Sequence, residues 1–172
     1  YYASQLEELI CKSTELSALT YPSLFKIYKN CCKRLGFVNL PKLYVTGQIW
    51  GINALSIEVK SRRLILLSRM STIRLNEQEL KFIIGHELGH HQQGNLACHT
   101  VNGLLDTLNN SSEIFGPMIS DTIGVPMKRW CRQSEFNADR AGLICCENLN
   151  VIINLFLKLG MPSSQSAYHE YK

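Results

Sequence analysis

One stretch constrains the fold of this chain more than any other: residues 76–95, NEQELKFIIGHELGHHQQGN, which contain the pattern H-E-x-x-H. Asn76 can cap a helix, Glu79 follows at the spacing of a capping box, and Gly94 can end the helix. Apolar residues recur at helical spacing and predict a buried face: Leu80, Ile83, Ile84 and Leu88. The stretch therefore predicts a helix anchored in the core.

The two histidines of the pattern suit a metal ion. His86 and His90 are four residues apart, so both imidazoles project from one face of the helix. A catalytic zinc ion takes three protein ligands and keeps a fourth position for water. Glu87 lies beside the first histidine and can take a proton from that water and pass it to a leaving amine. The pattern thus predicts a zinc site with Glu87 as general base, and one ligand is still missing.

A carboxylate in residues 128–148, KRWCRQSEFNADRAGLICCEN, can supply the missing ligand. Glu135 and Asp139 are four residues apart and share one helical face. If that face packs across from His86 and His90, Glu135 completes the site. Asp139, one turn further on, can then accept the ring N–H of a ligand histidine and fix its tautomer.

Other residues compete for these roles. An E-x-x-x-D pair by itself is typical of a solvated helix, but the upstream motif makes Glu135 the leading candidate over Glu113 and Glu147. Small residues at 138 and 142 would let the two helices approach closely. His91 points roughly 100° away from its neighbour around the helix and should not share the ion. His99, after Gly94, is expected to be an ordinary surface or core histidine, and His169 in a polar tail is not assigned.

The remaining pattern predicts an α+β fold, mainly helical. A first helix carries Leu6, Leu9, Ile10, Leu16 and Leu19 and breaks before Pro22, where a second begins and runs to Gly36. β-rich runs at residues 43–45, 54–59 and 63–67, with a turn at 60–62, predict a small antiparallel sheet beside the metal helix. Its edge strand could pair with an extended peptide, and a purely structural hairpin is the alternative. A last helix spans residues 151–159, capped by Asn150.

Composition bounds the class of protein. At 172 residues, 45% hydrophobic and 19% charged, the chain suits a single globular domain, residues 1–172, and Tyr1 indicates that it could be excised from a longer protein. The net charge of +4 is scattered, which argues against a nucleic-acid partner. No apolar run approaches the roughly 18 residues of a membrane span. The cysteines, seven in number and without a C-x-x-C pair, suggest reduced thiols in the cytoplasm or another reducing compartment.

The segments IIGHELGHH and SEFNADRAG together resemble the gluzincin zinc peptidases of the family that contains HtpX, the CAAX prenyl endoproteases and the Oma-type mitochondrial peptidases. The resemblance covers roughly residues 43–142 and implies a zincin-like fold. It also implies one zinc ion bound by His86, His90 and Glu135. The resemblance further implies that Glu87 is the catalytic base and that Asp139 orients a ligand.

The resemblance extends to substrate binding and to the surroundings of the domain. Asn53 and Ala54 look like the Asn-Ala pair that holds substrate in that family. Many relatives carry membrane helices and this chain has none, so membrane association would come through flanking sequence. The implied activity is zinc-dependent endopeptidase cleavage of a polypeptide. The alternatives are a silent zinc-binding domain that acts through a partner, and a latent enzyme whose cleft is covered by residues 96–130. The oligomeric state is not indicated.

Overall fold

The strands of this protein form one sheet whose order explains the position of the metal-binding helix. A computed structural model describes residues 2–59, 62–93 and 125–160, and all structural statements concern these residues. The strands are β1 (Ser13–Glu15), β2 (Lys42–Thr46), β3 (Ala54–Val59) and β4 (Arg62–Ser68). The helices are α1 (Tyr2–Cys11), α2 (Pro22–Arg34), α3 (Arg69–Arg74), α4 (Glu77–Gln93), α5 (Val125–Cys146) and α6 (Leu149–Gly160). The predicted α+β class, mainly helical, is confirmed.

The sheet is mixed, whereas the sequence suggested an antiparallel one. Its order is β1-β2-β4-β3, with β2 and β4 parallel and the other two pairs antiparallel. The reason lies in β4, whose run Leu64–Leu67 is fully apolar and is buried on both faces. A continuous apolar run suits a central strand, and β3, which contains serine and glutamate, takes the edge. The hairpin between β3 and β4 then brings β4 back parallel to β2.

The two faces of the sheet pack against different helices. One face contributes Leu43, Val45, Ile65 and Leu67 to the main core, which also contains apolar residues of α2, α4, α5 and α6. The other face contributes Tyr44, Ile57, Leu64 and Leu66 to a smaller cluster against Leu9 and Ile10 of α1. The helix with the H-E-x-x-H pattern therefore lies on the main-core side of the sheet.

The first helix is shorter than predicted. α1 ends at Cys11, and the Ser13 hydroxyl donates to the Leu9 carbonyl at 2.7 Å. The next residues form β1, which gains backbone hydrogen bonds from β2. Leu16, expected in the helix, is instead buried after the strand, and Leu19 is exposed. Helical spacing was misleading here because pairing with a strand about thirty residues away decides the local structure.

Several local predictions are confirmed. α2 begins at Pro22, and Gly36 beyond its end has a φ of 72°, which favours glycine. The capping box of α4 is present: the Glu79 amide donates to Asn76 Oδ1 at 3.0 Å, and the Asn76 amide donates to the Glu79 carboxylate at 2.9 Å.

The last helix begins earlier than predicted, so Asn150 lies inside α6 and donates its amide to Asn148 Oδ1.

Some sequence-based predictions fall outside the described residues. These concern most of the segment 96–130 and residues Gly94, His99, Glu113 and His169.

In the described part of the chain the cysteines are free thiols, and burial raises the pKa of Cys32 to about 11. None of the helices in residues 2–59, 62–93 and 125–160 is long and apolar enough to cross a membrane.

Candidate metal centre

Small residues allow α4 and α5 to pack closely against each other. A Cβ atom added to Gly89 would lie 2.9 Å from the Cα of Ala138, and one added to Gly85 would lie 2.8 Å from the Sγ of Cys145. Gly142 of α5 is equally tight, because a Cβ there would lie 2.7 Å from the ring of Phe82. The backbones of the two helices therefore approach closely enough for side chains of both to reach one point.

Three side chains from these helices converge. The Nε2 atoms of His86 and His90 are 3.1 Å apart. The Glu135 carboxylate reaches within 3.5 Å of His86 Nε2 and within 3.7 Å of His90 Nε2. One ligand atom from each residue lies within 4.8 Å of the others, so the group could hold a metal ion. Folding thus brings the distal carboxylate to the two histidines, 45 residues or more along the chain.

The donor set fits a divalent cation such as zinc. Zinc binds imidazole nitrogen and carboxylate oxygen at about 2.0–2.2 Å, and its ligands are typically three protein groups in a catalytic site. With the two Nε2 atoms 3.1 Å apart and one ligand atom from each residue within 4.8 Å of the others, a single ion among them can approach that distance. His90 is almost fully buried, and a buried imidazole facing a second imidazole and a carboxylate is a poor arrangement without a cation or proton between them.

Asp139 contacts the other nitrogen of the His86 ring, Nδ1. Its carboxylate lies 2.9 Å from His86 Nδ1, and since an ionised carboxylate only accepts, Nδ1 donates the hydrogen. In the neutral ring the Nε2 lone pair then points to His90 and Glu135. Burial lowers the pKa of His86, but hydrogen bonds with Asp139 and Glu135 and the charge of Glu87 outweigh it and raise the pKa to about 10. The surrounding carboxylates therefore favour the protonated form of this ring.

Glu87 lies beside the ligand group and faces the sheet. It is 8% exposed, and its Oε2 accepts a hydrogen bond from the Ser56 hydroxyl of β3 at 2.6 Å. The same hydroxyl lies 2.9 Å from the Glu87 carbonyl oxygen. The contact between Ser56 and Glu87 was not predicted from the sequence.

Asn53 and Ala54 lie at the start of β3 and line a cavity beside His86. The Asn53 amide donates to Ser71 Oγ at 3.0 Å, and the Asn53 carbonyl accepts from the Ser68 amide at 2.9 Å, which fixes the backbone there. A cavity of about 160 Å³ lies next to these residues. Its lining includes Ile52, Asn53, Ala54, Phe82, Ile83, His86, Glu87, Asp139, Leu155, Phe156 and Leu159. Both residues predicted to contact substrate thus share a cavity with His86, Glu87 and Asp139.

Two other candidates lie elsewhere. The ring of His91 is buried, with Nε2 3.1 Å from the Leu64 carbonyl oxygen, and burial lowers its pKa. It belongs to the contact between α4 and the sheet, away from the three converging donors. Glu147 pairs with Arg34 at the surface. Of the two described carboxylates weighed for the third ligand, Glu135 and not Glu147 lies beside the histidines, while Glu113 lies outside the described residues.

Comparison with known proteins gives two further findings. The model of Peptidase family M48 matches residues 19–160, well over half of the chain. The chain is 30% identical over 129 residues to a protein of Arabidopsis thaliana called plastoglobule-localized metallopeptidase 48, chloroplastic. That alignment covers 73% of this chain but 37% of the relative, so the chain spans well under half of the relative's length. No solved structure matches significantly.

Proposed function

This chain belongs to peptidase family M48, and on that premise we propose that it is a zinc-dependent metalloendopeptidase of the gluzincin type. The convergence of His86, His90 and Glu135 is the observation that carries the proposal, because these residues would supply the three protein ligands that a catalytic zinc ion takes. Family membership implies a metal-dependent peptidase. The choice of zinc rests on the two imidazoles and one carboxylate, which are the ligands that this metal takes in such enzymes.

Each residue of the centre has a role in this proposal. His86, His90 and Glu135 bind one zinc ion per chain, and Asp139 holds His86 in the tautomer that leaves Nε2 available. When bound, zinc acts as a Lewis acid that acidifies a water molecule and polarises a peptide carbonyl. Glu87 takes the proton from the attacking water and delivers it to the nitrogen of the leaving amine.

The substrate would be a polypeptide in extended conformation. β3 lies at the edge of the described sheet, and Ser56 of that strand contacts Glu87. A peptide added along this edge would pass the general base and could be held by main-chain hydrogen bonds that do not depend on its sequence. Asn53 and Ala54, at the start of the same strand, would contribute to holding it. We further propose a reducing compartment, since the buried cysteines among the described residues form no disulfide.

A silent zinc-binding domain is not favoured, because both the ligand set and the neighbouring carboxylate are intact. Glu87→Gln separates the possibilities. The variant removes the base but none of the ligands, so we expect it to bind one zinc ion and to lose cleavage of an unfolded protein by at least about a hundredfold. Zinc content and cleavage are measured on the native chain and the variant, each with and without a chelator.

Two results would contradict the proposal. Cleavage at the native rate by Glu87→Gln would show that the base is a different group. Cleavage that persists after zinc has been removed by the chelator would show that the activity does not depend on the metal. Lys81→Gln is the control. It introduces a glutamine at a partly exposed position elsewhere on the same helix.

A further inference from the structure

β3 presents a polar residue to the main core where its neighbours present apolar ones. Strand residues alternate between faces, and the pairing places Ser56 beside Ile65, which in turn lies beside Leu43. Ile65 and Leu43 are buried in the main core on the side of α4. Ser56 is 5% exposed in the same row. A buried hydroxyl in an apolar layer destabilises the fold unless it is hydrogen-bonded, so its partner is informative.

The Ser56 hydroxyl lies within hydrogen-bonding distance of two oxygen atoms of Glu87. Ser56 Oγ lies 2.6 Å from the carboxylate oxygen Oε2 and 2.9 Å from the main-chain oxygen of the same residue. A serine hydroxyl has one hydrogen and donates it to one acceptor at a time. The contact with the carboxylate is the shorter, as expected for a hydrogen bond to an ionised oxygen, and such bonds are about twice as strong as neutral ones.

We propose that Ser56 is a positioning residue for Glu87: its hydroxyl holds the carboxyl group in one orientation beside the metal centre. This inference rests on the proposed function, in which Glu87 transfers the proton. A glutamate side chain has several rotatable bonds, and fixing it before the reaction removes the entropy that ordering it would cost in the transition state. Ser56 acts through Glu87, the residue that its hydroxyl contacts.

A purely structural role makes different predictions. If the hydrogen went to the main-chain oxygen instead, removal of the hydroxyl would weaken the contact between α4 and the sheet and leave the carboxylate unchanged. Such a change would lower the melting temperature without a specific effect on the chemical step. If Ser56 positions the base, kcat falls, KM stays at its native value and zinc content stays at one per chain.

The test uses three variants of the chain. Ser56→Ala removes the hydroxyl, Ser56→Thr keeps it on a residue suited to a strand, and Thr46→Val removes a buried hydroxyl from β2 as the matched control. We expect Ser56→Ala to lower kcat about 10- to 100-fold, the range usual when an outer partner of a metal-site residue is removed. Ser56→Thr should restore most of kcat, and Thr46→Val should not change it. An unchanged kcat in Ser56→Ala, or a rise in KM that accounts for the whole loss, would overturn the proposal.

Crystal structures of the native chain and the two Ser56 variants give a readout that does not depend on activity. The Glu87 carboxylate should keep one orientation in the native chain and in Ser56→Thr, and should rotate or become disordered in Ser56→Ala. The same ordered carboxylate in Ser56→Ala would refute positioning. If the native zinc-loaded chain cleaves no substrate, the proposed function fails, and the crystallographic comparison still decides whether Ser56 orients Glu87.

Discussion

The His86 ring contacts a different partner with each of its two nitrogens. Its Nδ1 donates to Asp139 at 2.9 Å, and its Nε2 faces the other two donors. Without the carboxylate, the ring could rotate or adopt the other tautomer, and the lone pair would no longer point to the metal position. Asp139 should therefore contribute to zinc affinity although it is not one of the proposed ligands.

Asp139→Ala tests this at the level of one residue. We expect the variant to bind zinc about 10- to 100-fold more weakly than the native chain, as is usual when the partner of a ligand histidine is removed. The dissociation constant is measured by competition with a chromophoric chelator. Glu147→Gln removes a carboxylate that is exposed and paired with Arg34, and it should leave the constant unchanged. Equal affinity in Asp139→Ala and the native chain would show that the ring is oriented by other contacts.

At the residue scale, the sequence was informative wherever local geometry decides the arrangement. A spacing of four on a helix brings His86 and His90 to one face regardless of the rest of the fold, so the pair was predictable. Ser56 was not, because its contact with Glu87 joins residues 31 apart and depends on which strand lies under α4. A serine in an alternating strand is equally compatible with the solvent face.

At the element scale, the close approach of α4 and α5 is what brings Glu135 to the histidines. Gly85 and Gly89 on one helix meet Cys145, Ala138 and Ala141 on the other. The small residues of α5 were predicted to allow this approach, whereas the glycines of α4 were not singled out. Any side chain added at this contact must move the helices apart or displace its neighbour.

Gly89→Ala measures how much the site depends on this contact. The added Cβ would lie 2.9 Å from the Ala138 Cα and the Ala141 Cβ, so a backbone must shift. Alanine improves helix propensity by about 1 kcal/mol, but overpacking typically costs about 1–3 kcal/mol. We expect unchanged or lower stability and a zinc affinity reduced at least several-fold. Gly47→Ala, in open space, is the control. Native zinc affinity in Gly89→Ala would show that the helices can separate without disturbing the ligands.

The elements themselves were predictable to different degrees. α2 and α4 have local start signals, Pro22 and the Asn76 capping box, and both were predicted close to their observed bounds. β1 and the parallel pairing of β2 with β4 depend on partners far along the chain. Side-chain periodicity does not contain that information, so the sheet was predicted with the wrong topology and one strand too few.

At the scale of the whole molecule, the metal should stabilise the fold. The proposed ligands come from α4 and α5, so a bound ion would join two helices. Lys158 of α6 also pairs with Glu79 near the start of α4 at 2.5 Å. A ligand that binds the folded chain and not the unfolded one adds about 2.7 kcal/mol at one hundred times its dissociation constant. In a chain of this size each kcal/mol raises the melting temperature by about 2–4 °C.

Thermal unfolding with and without zinc tests this linkage. The melting temperature of the native chain should rise with zinc concentration and fall again when a chelator is added. Glu135→Ala should show a much smaller rise, because one of the three ligands is missing. A melting temperature that does not respond to zinc in the native chain would indicate that the ion binds weakly or binds equally well to the unfolded chain.

The most direct test of the metal centre is a crystal structure of the purified chain with anomalous diffraction measured on both sides of the zinc absorption edge. The account predicts one zinc peak per chain, within about 2.0–2.2 Å of Nε2 of His86, Nε2 of His90 and a carboxylate oxygen of Glu135. A zinc-supplemented crystal without a peak at that position, or with Glu135 outside coordinating distance of the ion, would contradict it.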